Sequence, residues 1–212
     1  MLNINFFTFN AFGENTYIIN NEKKHCWIVD PGMYGAGEIT QMLSFINDNQ
    51  FLPQAILNTH THIDHIFGIQ ALIDKYNIPY GIHEDELQVL KMAAGSATLF
   101  GFNFSKVPIP TFYIKPGTPL MLDEDILEVF YTPGHSPGSI SFYYPKGNWV
   151  ISGDVLFADS IGRTDLPGGS FETLAHSIRT MLFTLPGETS VLPGHGPSTT
   201  IAHEKKHNPF LQ

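Results

Sequence analysis

Within the run Thr59-His60-Thr61-His62-Ile63-Asp64-His65 stand four potential metal ligands, His60, His62, Asp64 and His65. Further along the chain His135, Asp154 and His195 each occupy a glycine-bearing turn. Imidazole nitrogen suits zinc and iron, carboxylate oxygen suits harder cations, and a mixed His/Asp set fits first-row divalent metals better than thiolate-rich structural zinc sites do. A lone cysteine, Cys26, excludes a cysteine-rich zinc ribbon. An aspartate such as Asp154 has two oxygens and can bridge two cations, which is why a pair of ions needs a carboxylate beside its imidazoles. The pattern reads as a two-metal site.

Such ligands must be delivered by the ends of regular elements. Residues 54–58 read as a buried strand, so the first ligand group falls in the turn before a helix beginning near Ile66. Period-2 alternation puts His60 and His62 on one face, while Asp64 and His65 swing towards a second ion as the chain curls. Strand-like 127–131 runs into the turn 132–138 that carries His135, 149–152 leads into Asp154, and 189–194 leads into His195. The remaining pattern predicts strands at 4–9, 16–20, 26–29 and 139–144, and helices at 37–48, 66–76, 84–94 and 171–185. Periodicity alone gives a mixed α/β protein.

The Thr59-to-His65 signature, with the later turns in the same order, resembles the metallo-β-lactamase fold hydrolases. The resemblance implies a four-layer αββα sandwich, with His60, His62 and His135 on one metal, Asp64, His65 and His195 on the second, and Asp154 bridging. Asp64, as a ligand and water orienter, and Asp154 are the expected catalytic residues. Val29-Asp30-Pro31-Gly32 is similar to the family's early aspartate-glycine turn, where Asp30 either supports the metal loop or caps a turn. Residues 162–169, Gly194-His195-Gly196-Pro197, and Asn208-Pro209-Phe210 are similar to the single-domain glyoxalase II-like branch. What this implies is a metal-dependent hydrolase with two divalent ions, zinc first and iron or manganese as alternatives. Its expected substrate is a small-molecule thioester such as a hydroxyacyl-glutathione, cleaved by a metal-bridging hydroxide. The alternatives are a persulfide dioxygenase using one iron, or a lactonase or lactamase on the same fold.

Bulk properties fit one compact enzyme domain over 1–212, with no linker, charge block or internal repeat to divide it. Eleven Lys and Arg against twenty Asp and Glu give a formal net charge of −9. Basic clusters do not exceed pairs such as Lys23-Lys24, which argues against a nucleic-acid partner. No apolar run approaches the roughly 20 residues needed to cross a bilayer, and the N-terminus lacks a basic leader, so a cytoplasmic protein without a membrane partner is expected. His25, His83, His176, His203 and His207 lack ligand context and read as surface or satisfied core residues. Arg163 and Asp165 either line the substrate entrance or pair to fix their loop. The 95–119 segment, rich in Phe, Pro and Gly, reads with equal weight as a lid over the metals or as a homodimer contact.

Overall fold

The structure, a computed structural model, describes residues 1–104 and 106–212. It divides into two compact units, Met1–Tyr113 and Ile114–Gln212. Each has its own sheet and its own apolar core.

In the first unit six strands lie in sequence order: β1 (Asn3–Phe9), β2 (Glu14–Asn20), β3 (His25–Val29), β4 (Leu52–Leu57), β5 (Tyr80–Ile82) and β6 (Phe112–Tyr113). The first three pair antiparallel, whereas β3 to β6 run parallel. Parallel strands covered on both faces need continuous apolar sequence, and Cys26-Trp27-Ile28-Val29 and Ala55-Ile56-Leu57 supply it, every one of them buried. The crossover helices are α1 (Gly35–Asp48), α2 (Ile69–Tyr76) and α3 (Leu87–Leu99). Met42 and Ile46 of α1, Ile69 and Leu72 of α2, and Leu90, Ala93 and Ala97 of α3 enter the shared core.

Two helices of the first unit differ from the sequence expectation. The helix after the ligand cluster starts at Ile69, not near Ile66, and is preceded by a short 3-10 turn at Ile63–His65. The amide of Gly68 donates to the carbonyl of Pro31 (2.7 Å), which holds the chain in a turn at that point. The 84–94 prediction divides into a 3-10 turn at Glu84–Glu86 and α3, which extends to Leu99. Within the 95–119 segment α3 continues to Leu99, and the partly buried Phe102, Phe104 and Val107 pack on the first unit's cluster; Ser105 lies outside the described residues.

In the second unit the sheet order is β14-β13-β10-β9-β8-β7, from β7 (Leu120–Leu122), β8 (Asp125–Tyr131), β9 (Ile140–Tyr144), β10 (Trp149–Gly153), β13 (Ser190–Pro193) and β14 (Thr199–Thr200). A separate hairpin joins β11 (Leu156–Phe157) to β12 (Ser160–Ile161). Strand β8 shows period-2 burial, with Asp125, Leu127 and Val129 inward and Ile126 and Glu128 outward. The helices are α4 (Phe171–Thr180) and α5 (Ile201–His207). The single helix expected over 171–185 ends at Thr180 and continues as a 3-10 turn at Leu182–Thr184. Thr180 Oγ1 donates back to the His176 carbonyl and Thr184 Oγ1 to that of Met181, a pattern that loosens a helix. Pro186 then forces Leu185 into extended backbone. Among the described residues no helix is long and apolar enough to cross a membrane.

Candidate metal centre

The first unit concentrates its ligands in the loop that leaves the carboxyl end of β4. Asp30 organises that loop from below. It ends β3 with φ at +49°, a left-handed conformation that Asp tolerates better than most residues. Its Oδ1 accepts from the Thr59 amide (2.7 Å) and from Asn58 Nδ2 (3.0 Å), and its Oδ2 accepts from Thr59 Oγ1 (2.6 Å). The same Oδ2 lies 3.2 Å from His65 Nδ1. Asn58 Nδ2 also donates to the carbonyls of His60 and His65, tying the two ends of the ligand run to one amide group. Asn10 Nδ2 donates to the carbonyl of Asp64 (3.0 Å), and the buried Glu86 receives both the amide and the hydroxyl of Thr61 (2.8 and 2.9 Å). Thr59, Thr61 and Asp64 of the loop are thus each held by a side chain from elsewhere in the unit.

The rings of His60 and His62 lie 4.8 Å apart, and those of His60 and His65 4.1 Å apart. Asp64 Oδ2 stands 3.7 Å from His65 Nε2. Three imidazoles this close repel one another if protonated, so the group suits neutral rings presenting lone pairs to a cation. The hydrogen-bond pattern agrees. Thr59 Oγ1 gives its proton to Asp30, so the 3.1 Å contact between that oxygen and His60 Nδ1 places the ring proton on Nδ1 and leaves Nε2 as a donor for metal. The Asp30 carboxylate 3.2 Å behind Nδ1 of His65 favours a proton on that nitrogen electrostatically, as a carboxylate behind a metal-binding imidazole does.

Beneath lies a second carboxyl that sequence reading did not find. Glu14 is fully buried, and burial pushes its pKa well above the ordinary carboxylate value, against the opposing pull of His65. Thr16 Oγ1 sits 2.9 Å from Glu14 Oε2 and 2.9 Å from the Asp30 carbonyl, and its one proton cannot serve both.

The second unit presents its ligands at one sheet edge. Strands β10 and β13 are parallel, and β8 is parallel to β10 because each is antiparallel to β9. Their carboxyl ends therefore point the same way and deliver His135, Asp154 and His195. Asp154 Oδ2 lies 3.6 Å from His135 Nε2 and 3.5 Å from His195 Nε2. His135 Nδ1 is 2.7 Å from the carbonyl of Arg163, which can only accept, so the proton is on Nδ1 and Nε2 carries the lone pair that faces Asp154. Two glycines are required here. A Cβ on Gly162 would collide with the Asp154 carbonyl and crowd His135 Nδ1. Gly134 has φ +130° and lies against the backbone of Leu174 in α4. The Gly194 amide donates to the Gly153 carbonyl (2.9 Å), coupling the turns of His195 and Asp154.

Arg163 and Asp165 form a two-pronged pair (2.7 and 2.6 Å), and this hydrogen bonding holds the exposed Asp165 carboxyl down at about 2. Both side chains are exposed, so the pair stands at the surface of the glycine-rich loop that follows Asp154. Of the histidines set aside, His83 caps a short turn by accepting the Asp85 amide, and His176 is exposed. Asn58, Glu14 and Glu86 left no spacing signal. Glu86 sits in the acidic run Glu84-Asp85-Glu86 and Glu14 and Asn58 at the ends of apolar runs, and only the fold brings them to the ligand loop.

A model of the metallo-β-lactamase superfamily matches residues 10–195, and the chain belongs to that family. It is 42% identical over 199 residues (93% of this chain, 92% of the relative) to a probable metallo-hydrolase, YqgX, of Bacillus subtilis. It is 34% identical over 212 residues (99% and 98%) to the hydroxyacylglutathione hydrolase GloC of Haemophilus influenzae. Among solved structures it is similar to the BLEG-1 B3 metallo-beta-lactamase, with TM-score 0.91 and 38% identity over 99% of this chain and 100% of the other. It is also similar to TTHA1623 in a di-iron-bound form, with TM-score 0.88 and 36% identity over 98% and 100%. The mixed α/β architecture is that of the metallo-β-lactamase fold, and the chain is a metallo-hydrolase of that superfamily.

Proposed function

We propose that the chain is a dinuclear metallohydrolase that cleaves a small-molecule thioester of the hydroxyacyl-glutathione type. In this reading both units belong to one catalytic domain over 1–212. His60, His62 and His135 hold one ion, Asp64, His65 and His195 the other, and Asp154 bridges them. The observation that carries the proposal is the tautomer pattern: the Nδ1 protons of His60 and His135 are committed to Thr59 Oγ1 and the Arg163 carbonyl, which leaves both Nε2 lone pairs for a metal, that of His135 facing Asp154. The similarity to a hydroxyacylglutathione hydrolase and to a di-iron protein supports the thioester and the metal pair respectively.

Divalent cations, when bound, supply Lewis acidity and draw the pKa of water towards neutrality. The chain's own contribution is to fix positions in advance. Asp30, Asn58 and Glu86 hold the ligand loop so that donors need not reorganise during the reaction. Asp64, whose backbone is tied by Asn10, would help hold an ion and orient the attacking water. A thiolate leaves with little protonation, so no separate acid is needed. The acidic balance of the chain, its lack of a basic track and its single buried thiol support a cytoplasmic enzyme acting on a small molecule, not on nucleic acid.

The test is a screen of protein loaded with zinc, iron or manganese against a panel of thioesters, lactones and β-lactams, with oxygen uptake measured on a persulfide. Thioester hydrolysis dominant over the other activities is expected. Folded, metal-loaded protein inert towards every thioester would overturn the reading, and oxygen uptake would replace it with a dioxygenase.

A further inference from the structure

A second group of metal-type ligands lies in the second unit, where α5 meets the β11–β12 hairpin. His203 Nε2 stands 2.7 Å from Asp159 Oδ1. His207, one helical turn further along α5, places its ring 4.7 Å from that of His203, as residues four apart on a helix do. All three side chains are exposed; Asp159 and His203 already bring donor atoms together, and His207 joins them by turning its ring.

What distinguishes this group from a chance surface ion pair is the buried residue that organises it. Glu204 is fully buried beside exposed His203. Its carboxylate accepts from the Asp159 amide (3.3 and 3.1 Å to its two oxygens), from Thr199 Oγ1 (2.6 Å) and from Asn208 Nδ2 (2.8 Å). Asn208 Nδ2 also donates to the Ser160 carbonyl (3.0 Å). These bonds occupy Glu204, which lies 3.8 Å from His203 Nε2 and acts as a positioning group, not as a ligand. They pin Asp159 at φ +55°, a conformation open to Asp and Asn, with its carboxylate aimed at the helix. The hairpin and the helix are both fixed before any ion arrives. The neighbouring cation Lys205 is drawn aside, its Nζ lying 5.9 Å from the ring centroid of Phe183.

We propose that Asp159, His203 and His207 form a peripheral binding site for a borderline first-row divalent cation, of which zinc is the natural probe. Two imidazole nitrogens and one carboxylate oxygen match that class better than magnesium or calcium, which prefer all-oxygen shells. Solvent completes the coordination. An ion held there clips α5 to the hairpin that starts at Leu156, two residues after Asp154.

The test is the zinc content of the full-length, metal-loaded protein after equilibrium dialysis against buffered free zinc, compared among the parent, His203→Ala, His207→Ala and Asp159→Asn. Asparagine keeps the left-handed backbone accessible, and the two histidines are exposed, so all variants should retain the parent's circular dichroism. The parent is expected to carry one zinc ion more per chain than either histidine variant, with Asp159→Asn needing higher free zinc for the same occupancy. An unchanged zinc count in either histidine variant would overturn the proposal. The difference is read between proteins with the same remaining ligands, so it is independent of thioester activity.

Discussion

At the scale of single residues, the ligand loop depends as much on its supports as on its donors. Asp30 contacts Thr59, Asn58 and His65 at once, so it controls loop shape and imidazole basicity together. Asp30→Asn keeps the size and the left-handed backbone but removes the charge behind His65. Metal affinity is expected to fall by roughly 10- to 100-fold, the usual cost of losing such a support, as measured by chelator competition, and the thermal midpoint should fall too because an amide nitrogen cannot accept the Thr59 hydroxyl. Asp154→Ala removes the proposed bridge. Activity should vanish and metal content should drop, because the ions lose their shared carboxylate; turnover surviving in that variant would point to different chemistry. The residues with donor chemistry were legible in the sequence because their spacing and order carried the signal. Their supports were not. Glu14 stands at the head of a strand whose seven residues are all buried, where a carboxyl is unexpected, and Glu86 hides in the acidic run Glu84-Asp85-Glu86, which reads as an exposed turn.

At the scale of elements, ligands occur where strands end, and helices buttress the turns between. Ser170 caps α4 by accepting the Thr173 amide (3.3 Å), and its own amide donates to the Gly134 carbonyl (2.7 Å), so the helix start and the His135 turn share one residue. Ser170→Ala should cost about 1 kcal/mol, seen as a drop of roughly 2–4 °C in the unfolding midpoint for a chain of this size. The backbone bond to Gly134 survives that change, so metal affinity should move far less than in Asp30→Asn. Strand positions were well legible, since buried parallel strands leave continuous apolar runs. Helix ends were less so. The start of α2 is set by a bond from Gly68 to Pro31, far away in sequence, and the break after Thr180 by side chains bonding back to the carbonyls of their own helix, neither of which alters apolar periodicity.

At the scale of the whole molecule, the acidic chain keeps its only thiol in the first unit's core, where burial pushes Cys26 up to about 12. Its unfolded value is near 9, so the folded state holds a proton between those limits that the unfolded state has lost. Stability from this group is complete below pH 9 and declines as pH rises towards 12. Native protein at pH 8 should therefore resist a thiol-modifying reagent that reacts at once after denaturation; rapid modification of native protein would mean that the core opens readily. The C-terminal region has its own collective behaviour. One buried carboxylate, that of Glu204, receives the Thr199 hydroxyl, the Asp159 amide and the Asn208 side chain, so displacing it strands all three donors at once. In hydrogen–deuterium exchange the amides of Asp159 and Asn208 should lose protection together, at a common opening rate, as a single foldon uniting distant stretches of the chain.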